Sequence, residues 1–322
     1  MTDVLLLIAG FVVLTSGGEA LVRGSVAVAQ RLRISPLVIG LTLVGFGTSM
    51  PELATTVQAV LQGSPDVAFG NVIGSNISNI LLILGFAALV MPIKCDPIAF
   101  RRDGTAFALS QVIMVSALIL GFVGRPVGAL LLLCLFAYLV FTYWSESRIK
   151  IPVAQIHTHE GEVFGEETKT LGIPMGIFVT IAGIVATVFG ARLIVTGATS
   201  IAAGFGVPEA VIGLTIVAIG TSLPELASAI MASAKGESEL AFGNVIGSNI
   251  FNSLGILGTT ALVEPLTVPG RIIETDLWVM VLVSVLLVLF AITSWGIDRR
   301  EGMILLLGYA GYLGFLAITT LV

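Results

Sequence analysis

Glu52 and Glu225 sit in almost the same phrase, GTSMPELA at 47–54 and GTSLPELA at 220–227. Pro51 and Pro224 lack an N–H, and their rings clash with the preceding helical turn. A helix running through either phrase must therefore kink there. Carbonyls around Gly47 and Thr48 lose their intrahelical donor. Thr48 and Ser49 precede Glu52 by four and three residues, so all three share one helix face. Thr221, Ser222 and Glu225 repeat the pattern. Carboxylate, hydroxyl and freed carbonyl are hard oxygens, the donors that Ca²⁺ and similar cations select.

A second polar pattern follows each phrase. Asn71, Ser75 and Asn79 are spaced by four, as are Asn244, Ser248 and Asn252. Each set predicts a polar stripe on one helix. The pairs Gly70/Gly74 and Gly243/Gly247 predict an edge on that helix where a neighbour approaches closely. Asn71, Asn76, Asn244 and Asn249 read first as side chains that hydrogen-bond helices together.

The elements that must carry these residues are membrane helices. Of 322 residues, 56% are hydrophobic and 11% charged, against about 25% charged in soluble domains. The mean hydropathy is +1.07. This excludes an ordinary soluble globule, a disordered chain and a nucleic-acid partner. A bilayer span takes ~20 apolar residues, and the runs predict ten helices, at about 4–30, 36–62, 67–90, 104–124, 126–144, 173–203, 208–234, 239–263, 275–296 and 302–321. No two-residue alternation supports a barrel. The expected fold is an all-α polytopic membrane protein.

The chain is duplicated. Adding 173 to each residue number carries VIGLTLVGFGTSMPELA (38–54) onto VIGLTIVAIGTSLPELA (211–227), and AFGNVIGSNISNILLILG (68–85) onto AFGNVIGSNIFNSLGILG (241–258). The register runs from about Ile8/Ile181 to Gly85/Gly258 and continues weakly to Asp103/Asp276. This predicts a five-helix repeat over 1–145, a polar cytoplasmic linker over 146–172 and a second repeat over 173–322. Five is odd, so the second copy enters the membrane from the opposite side, an inverted-topology repeat. With both termini outside, the inner loops hold Arg31, Arg33, Lys94, Arg101, Arg102, Arg148, Lys150, Lys169, Lys235, Arg299 and Arg300, and the outer loops only Arg125 and Arg271. That asymmetry is the one the positive-inside rule requires in a cell membrane.

Other features have plainer readings. Glu19 and Arg23 are expected to form an i,i+4 ion pair within the first helix. Arg192 takes the place of Glu19 in the second copy, so Glu19 has no acidic twin. His157, His159 and Glu160 fall in the linker and read as solvated. Cys95 and Cys134 support no disulfide framework. No nucleotide, P-loop or zinc motif is present, nor a nucleophile–base pair within the spans, so neither a cofactor nor an enzyme is expected.

The two phrases and the helices after them resemble the alpha-repeats of the calcium/cation antiporter superfamily, in its prokaryotic sodium/calcium exchanger branch. The resemblance covers the chain in length and layout and is most specific over 35–85 and 207–258. It implies a diamond of four cation sites at the membrane centre. Glu52 and Glu225 would be central ligands shared by Ca²⁺ and Na⁺, and carbonyls at Thr48 and Thr221 would complete the Ca²⁺ site. Hydroxyls of Ser49, Ser75, Ser222 and Ser248, with carbonyls at Gly45 and Ala218, would fall on Na⁺ positions. Asn79 would lie in the middle. Gly45 replaces an alanine common there, which a backbone ligand tolerates. Asn252 stands where some exchangers, potassium-dependent ones among them, carry Asp.

The expected activity is electrogenic Na⁺/Ca²⁺ antiport without K⁺. Two glutamates carry the charge one Ca²⁺ neutralises, and the same oxygens serve two or three Na⁺ in its absence. The first helix of each half is expected to move against the other eight. A Ca²⁺/H⁺ antiporter and a cation channel are the alternatives, separated by Na⁺ dependence and by saturation at low turnover.

Overall fold

A computed structural model describes residues 2–32, 34–148, 171–206, 218–293 and 295–321. Most of the expected linker (149–170, with His157, His159 and Glu160) and the start of the helix expected at 208–234 lie outside the described residues. The helices are α1 (Thr2–Leu32), α2 (Pro36–Thr48), α3 (Met50–Leu61), α4 (Pro65–Val90), α5 (Pro97–Ile119), α6 (Arg125–Arg148), α7 (Ile173–Gly204), α8 (Ala218–Thr221), α9 (Leu223–Ala234), α10 (Ser238–Val263), α11 (Ile272–Thr293) and α12 (Arg299–Leu321). Four two-residue strands join them: β1 (Ile93–Lys94), β2 (Phe122–Val123), β3 (Leu266–Thr267) and β4 (Gly296–Ile297).

Six helices among the described residues are long and apolar enough to cross a bilayer: α1, α4, α6, α7, α10 and α11. The pair α2 and α3, bent by 42°, is apolar enough when taken together to form a broken span or a re-entrant loop. The break falls on Ser49 (φ −84°, ψ 8°), two residues before Pro51, as the missing N–H requires. Ser222 (φ −88°, ψ 2°) breaks α8 from α9 in the same way before Pro224.

Polarity is turned inside out relative to a soluble protein. Phe136, Phe178 and Leu282 are each about two-thirds exposed on long apolar helices, while Glu52, Glu225, Asn76 and Asn252 are buried. Such surfaces suit a hydrocarbon solvent, in which backbone polar groups are satisfied within helices.

α5 begins at Pro97, well before the expected start near 104. The charged turn that suggested a loop is helical because Arg102 clamps the fully buried carboxylate of Asp103, with Nε and Nη2 at 2.9 and 2.8 Å from its two oxygens. Gly121, at φ +75°, stops the helix. α12 opens with a reciprocal cap: Glu301 N–H donates to Asp298 Oδ1, and Asp298 N–H to Glu301 Oε2, both at 2.8 Å.

The chain forms two compact units, Met1–Pro51 with Leu139–Asn244 and Glu52–Tyr138 with Val245–Val322. Each draws on both copies of the sequence repeat. In the first, α1 and α7 lie antiparallel along their whole length. A Cβ on Gly17 would stand 2.7 Å from Thr187 N, one on Gly24 2.6 Å from Thr180 N, and one on Gly197 2.7 Å from Asp3 O. Gly10, Gly17 and Gly24 map by the 173-residue shift onto Gly183, Gly190 and Gly197. The approaches map as well: Gly17 meets Thr187, and Gly190 meets Leu14. Every approach is thus made twice with the copies exchanged, the mark of a two-fold relation.

The second unit has the same symmetry in its ribbons. β1 pairs with β4 (Ile93↔Ile297, Lys94↔Gly296) and β2 with β3 (Phe122↔Thr267, Val123↔Leu266), all antiparallel. β1 shifted by 173 is β3, and Val123 becomes Gly296. The two ribbons join the same elements with the copies exchanged, one residue out of register: the shift carries Lys94↔Gly296 onto Thr267↔Val123, whereas Thr267 pairs with Phe122.

One member of the expected glycine edge in the second copy, Gly243, meets a neighbour. Gly243 packs against Leu37 O, and a Cβ on Gly40 would stand 2.7 Å from Leu240 O. Gly70 and Gly74 differ: no atom among the described residues comes within 4 Å of a Cβ built on either. Gly70 is exposed and Gly74 half-buried.

Candidate cation site

The residues expected to hold ions divide between the units. Gly45, Thr48, Ser49, Ala218, Thr221, Ser222 and Glu225 belong to the first, and Glu52, Ser75, Asn79, Ser248 and Asn252 to the second.

In the first unit, Glu225 lies in the first turn of α9, directly after the break at Ser222, and is 1% exposed. Ser49, at the matching break in the other copy, donates from Oγ to Glu225 Oε1 at 3.0 Å. Glu225 Oε2 is buried with no hydrogen-bond partner among the described residues. A buried carboxylate oxygen left unmatched is costly, and a cation is the partner its chemistry suits. Thr48, fully buried, donates to Val44 O at 3.1 Å and lies 3.4 Å from Asn244 Oδ1. Ser49 N–H donates to Gly45 O at 3.3 Å, and Thr48 Oγ lies 3.5 Å from the same carbonyl. Ser222 is buried and Thr221 half-buried; Ala218 opens α8.

In the second unit, Glu52 occupies the first turn of α3 and is 1% exposed. Thr56 Oγ donates to its carbonyl at 2.7 Å, and Asn71 Nδ2 to the same carbonyl at 3.1 Å. Ser75, Asn79, Ser248 and Asn252 are buried. Asn79 opens a π-helical stretch within α4, Asn79–Leu84, and Asn252 is the second residue of the matching stretch in α10, Phe251–Ile256. A further π turn, Gly40–Val44, leads into Gly45. Single π turns inside helices gather at functional positions because they re-aim side chains and loosen backbone carbonyls. Neither amide atom of Asn252 has a hydrogen-bond partner among the described residues.

Several polar groups were not singled out as site neighbours from sequence. Asn76 and Gln111 both donate to Ser253 Oγ at 3.1 Å, joining α4, α5 and α10. Thr56 and Ser228 follow the glutamates by four and three residues, a spacing that hinted at their bonds. Glu19 also pairs outside its own helix: its carboxylate lies 2.8 Å from Lys235 Nζ, at the end of α9, with the Arg23 charge acting on it from within α1. No cluster of three or more His, Cys, Asp or Glu suited to a metal occurs among the described residues. The polar groups gathered near each glutamate are hydroxyls, amides and backbone carbonyls.

A helical membrane chain with duplicated, proline-broken carboxylate segments defines a cation transporter rather than an enzyme. The chain matches the family model "Sodium/calcium exchanger protein" over residues 2–144 and 175–318, and it belongs to that family. It is 33% identical over 341 residues to the sodium/calcium exchanger MaX1 of Methanosarcina acetivorans, covering 96% of this chain and 97% of that one. It is 36% identical over 304 residues to the inner membrane protein YrbG of Escherichia coli, covering 92% and 90%. The solved structure of the sodium-calcium exchanger NCX_Mj soaked with 2.5 mM Na⁺ and 10 mM Sr²⁺ superposes with a TM-score of 0.82 at 30% identity, covering 98% of this chain and 99% of that one.

Proposed function

We propose that this chain exchanges Na⁺ for Ca²⁺ across the cell membrane with Glu52 and Glu225 as the charged ligands, electrogenically and without K⁺. The observation that carries the reading is the repeated geometry of the two glutamates. Each is buried in the first turn after a proline-directed break, and a hydroxyl from the opposite copy's break reaches Glu225. Family membership supports the ions.

In this mechanism Ca²⁺ takes the carboxylates with carbonyls at Thr48 and Thr221. The hydroxyls of Ser49, Ser75, Ser222 and Ser248, with carbonyls at Gly45 and Ala218, take Na⁺. Asn79 takes the middle position, and Asn252 stands where a third carboxylate would otherwise be. One Ca²⁺ neutralises two carboxylates, and Na⁺ ions must displace it to use them. Shared ligands make the two ions compete, which couples their movements. Three Na⁺ on two carboxylates leave one net positive charge to cross per cycle.

Ten spans in two inverted five-helix repeats, with both termini outside, complete the proposal. Its support is the antiparallel packing of α1 on α7, which hold the same place in the two copies, and the exchanged ribbons β1·β4 and β2·β3. Repeat-equivalent helices that run antiparallel enter a bilayer from opposite faces. The test is radioactive Ca²⁺ uptake into proteoliposomes under an outward Na⁺ gradient, with and without K⁺. The expected result is uptake that needs Na⁺ and ignores K⁺. Uptake driven by a proton gradient instead would make the chain a Ca²⁺/H⁺ antiporter, and unsaturable flux would make it a channel.

A further inference from the structure

We infer that Asn71 and Asn244 are positioning residues, each fixing the start of the helix that carries a site glutamate through the two N–H groups of one side-chain amide. The inference rests on the exchange reading above and adds residues to which that reading gives no role.

Asn71 Nδ2 donates to Glu52 O at 3.1 Å and to Thr56 Oγ at 2.8 Å, and Thr56 Oγ donates to the same carbonyl at 2.7 Å. Asn244 Nδ2 donates to Ser228 Oγ at 2.7 Å and lies 3.4 Å from Glu225 O, to which Ser228 Oγ donates at 2.9 Å. The two arrangements are equivalents, since 71 + 173 = 244 and 52 + 173 = 225. The hydroxyl does not keep its place: Thr56 follows its glutamate by four, Ser228 by three, and the shift carries Thr56 onto Ala229. The link has been retained while its means changed, so the amide-to-carbonyl geometry is the common feature.

The physical need follows from the breaks. Pro51 and Pro224 remove a donor where α3 and α9 begin, so their first turns have fewer backbone restraints. The glutamates project from those turns, and a small rotation there moves the carboxylate. An amide on the next helix supplies the missing restraint, and being neutral it adds no charge beside the site. Asn244 Oδ1 also lies 3.4 Å from Thr48 Oγ, whose hydrogen has the nearer Val44 O at 3.1 Å. One side chain thus touches both Thr48 and the carbonyl of Glu225.

The test uses the full chain in proteoliposomes, with Asn71→Leu and Asn244→Leu as variants of similar volume that lack the donors. The expected result is an apparent KM for Ca²⁺ raised roughly tenfold or more, the range found when groups supporting metal ligands are removed. Maximal rate and melting temperature should change little. Should either variant fail to fold, Thr56→Val and Ser228→Ala sever the same links more gently and should raise KM less but in the same direction. A folded variant with unchanged KM, or one that loses maximal rate alone, would overturn the inference while leaving wild-type exchange intact. Wild-type protein that binds no Ca²⁺ by calorimetry would overturn both.

Discussion

At the scale of single residues, the account turns on two carboxylates in a nearly neutral interior. Glu52→Gln and Glu225→Gln keep shape but remove a charge that Ca²⁺ must find, and each is expected to cut Ca²⁺ flux by more than ~100-fold, beyond the usual cost of losing a supporting group. Flux assays on purified variants with unchanged melting temperature check this; normal rates in either would remove that glutamate from the site. Ser49→Ala should act more mildly. It deletes the donor 3.0 Å from Glu225 Oε1, and a hydrogen bond to a charged group is worth about 1.5–3 kcal/mol. Ca²⁺ affinity should therefore fall about tenfold or more, a change calorimetry can read. The glutamates and their kinks were legible in the sequence because proline chemistry is local and the duplication shows each motif twice. The pairing of Glu19 with Lys235 was not. Helical spacing offers Arg23 at once, whereas Lys235 lies 216 residues away and only the packing of α1 beside α9 brings it to 2.8 Å. The link from Asn76 and Gln111 to Ser253 was hidden for the same reason, since residues on three helices converge only after folding.

At the scale of elements, the α1–α7 pair behaves as one interlocked body. The glycines come every seven residues on both helices and lie against backbone, so one face is smooth enough for the chains to touch. Gly17→Val or Gly190→Val would press a branched side chain into Thr187 N or into Leu14, and overpacking of this kind costs about 1–3 kcal/mol. The expected readout is a lower melting temperature in detergent with the ion site itself unaltered; an unchanged melting curve would contradict the packing. Glu19 acts on the same pair from outside. Glu19→Gln should loosen α1 from α9 through loss of Lys235 yet leave the number of Na⁺ exchanged per Ca²⁺ as it was. Reversal-potential measurements check this, and a shifted ratio would bring Glu19 into the ion path. The seven-residue glycine series could be read from sequence as small-residue faces, but not that they face one another. The edge at Gly70 and Gly74 looked identical to the one at Gly243, yet only Gly243 meets a neighbour among the described residues, because a motif specifies room for contact and not the partner that fills it.

At the scale of the whole molecule, the proposed exchange needs a site that opens to either side of a membrane, and duplication would supply it. The exchanged approaches of α1 and α7 within one unit, and the exchanged ribbons within the other, support copies of opposite orientation. In the proposed cycle charge sets the energetics. Two glutamates, with Asn at both 79 and 252, would leave the Ca²⁺-loaded site neutral and a site with three Na⁺ at one positive charge. One charge per cycle across 100 mV is worth about 2.3 kcal/mol, equivalent to roughly a 50-fold shift in the Ca²⁺ gradient the exchanger can hold. An inside-negative membrane would favour Ca²⁺ extrusion. Asn252→Asp should add a third carboxylate and make flux sensitive to monovalent ions that the native protein ignores. The most direct measurement of the central claim is Na⁺-driven uptake of radioactive Ca²⁺ into proteoliposomes whose potential is clamped with valinomycin and set K⁺ gradients, with a second ionophore pair repeating the clamp free of K⁺. The account predicts uptake that requires Na⁺, changes rate with voltage, persists without K⁺ and vanishes in Glu225→Gln. Uptake indifferent to Na⁺, or undiminished in Glu225→Gln, would contradict it.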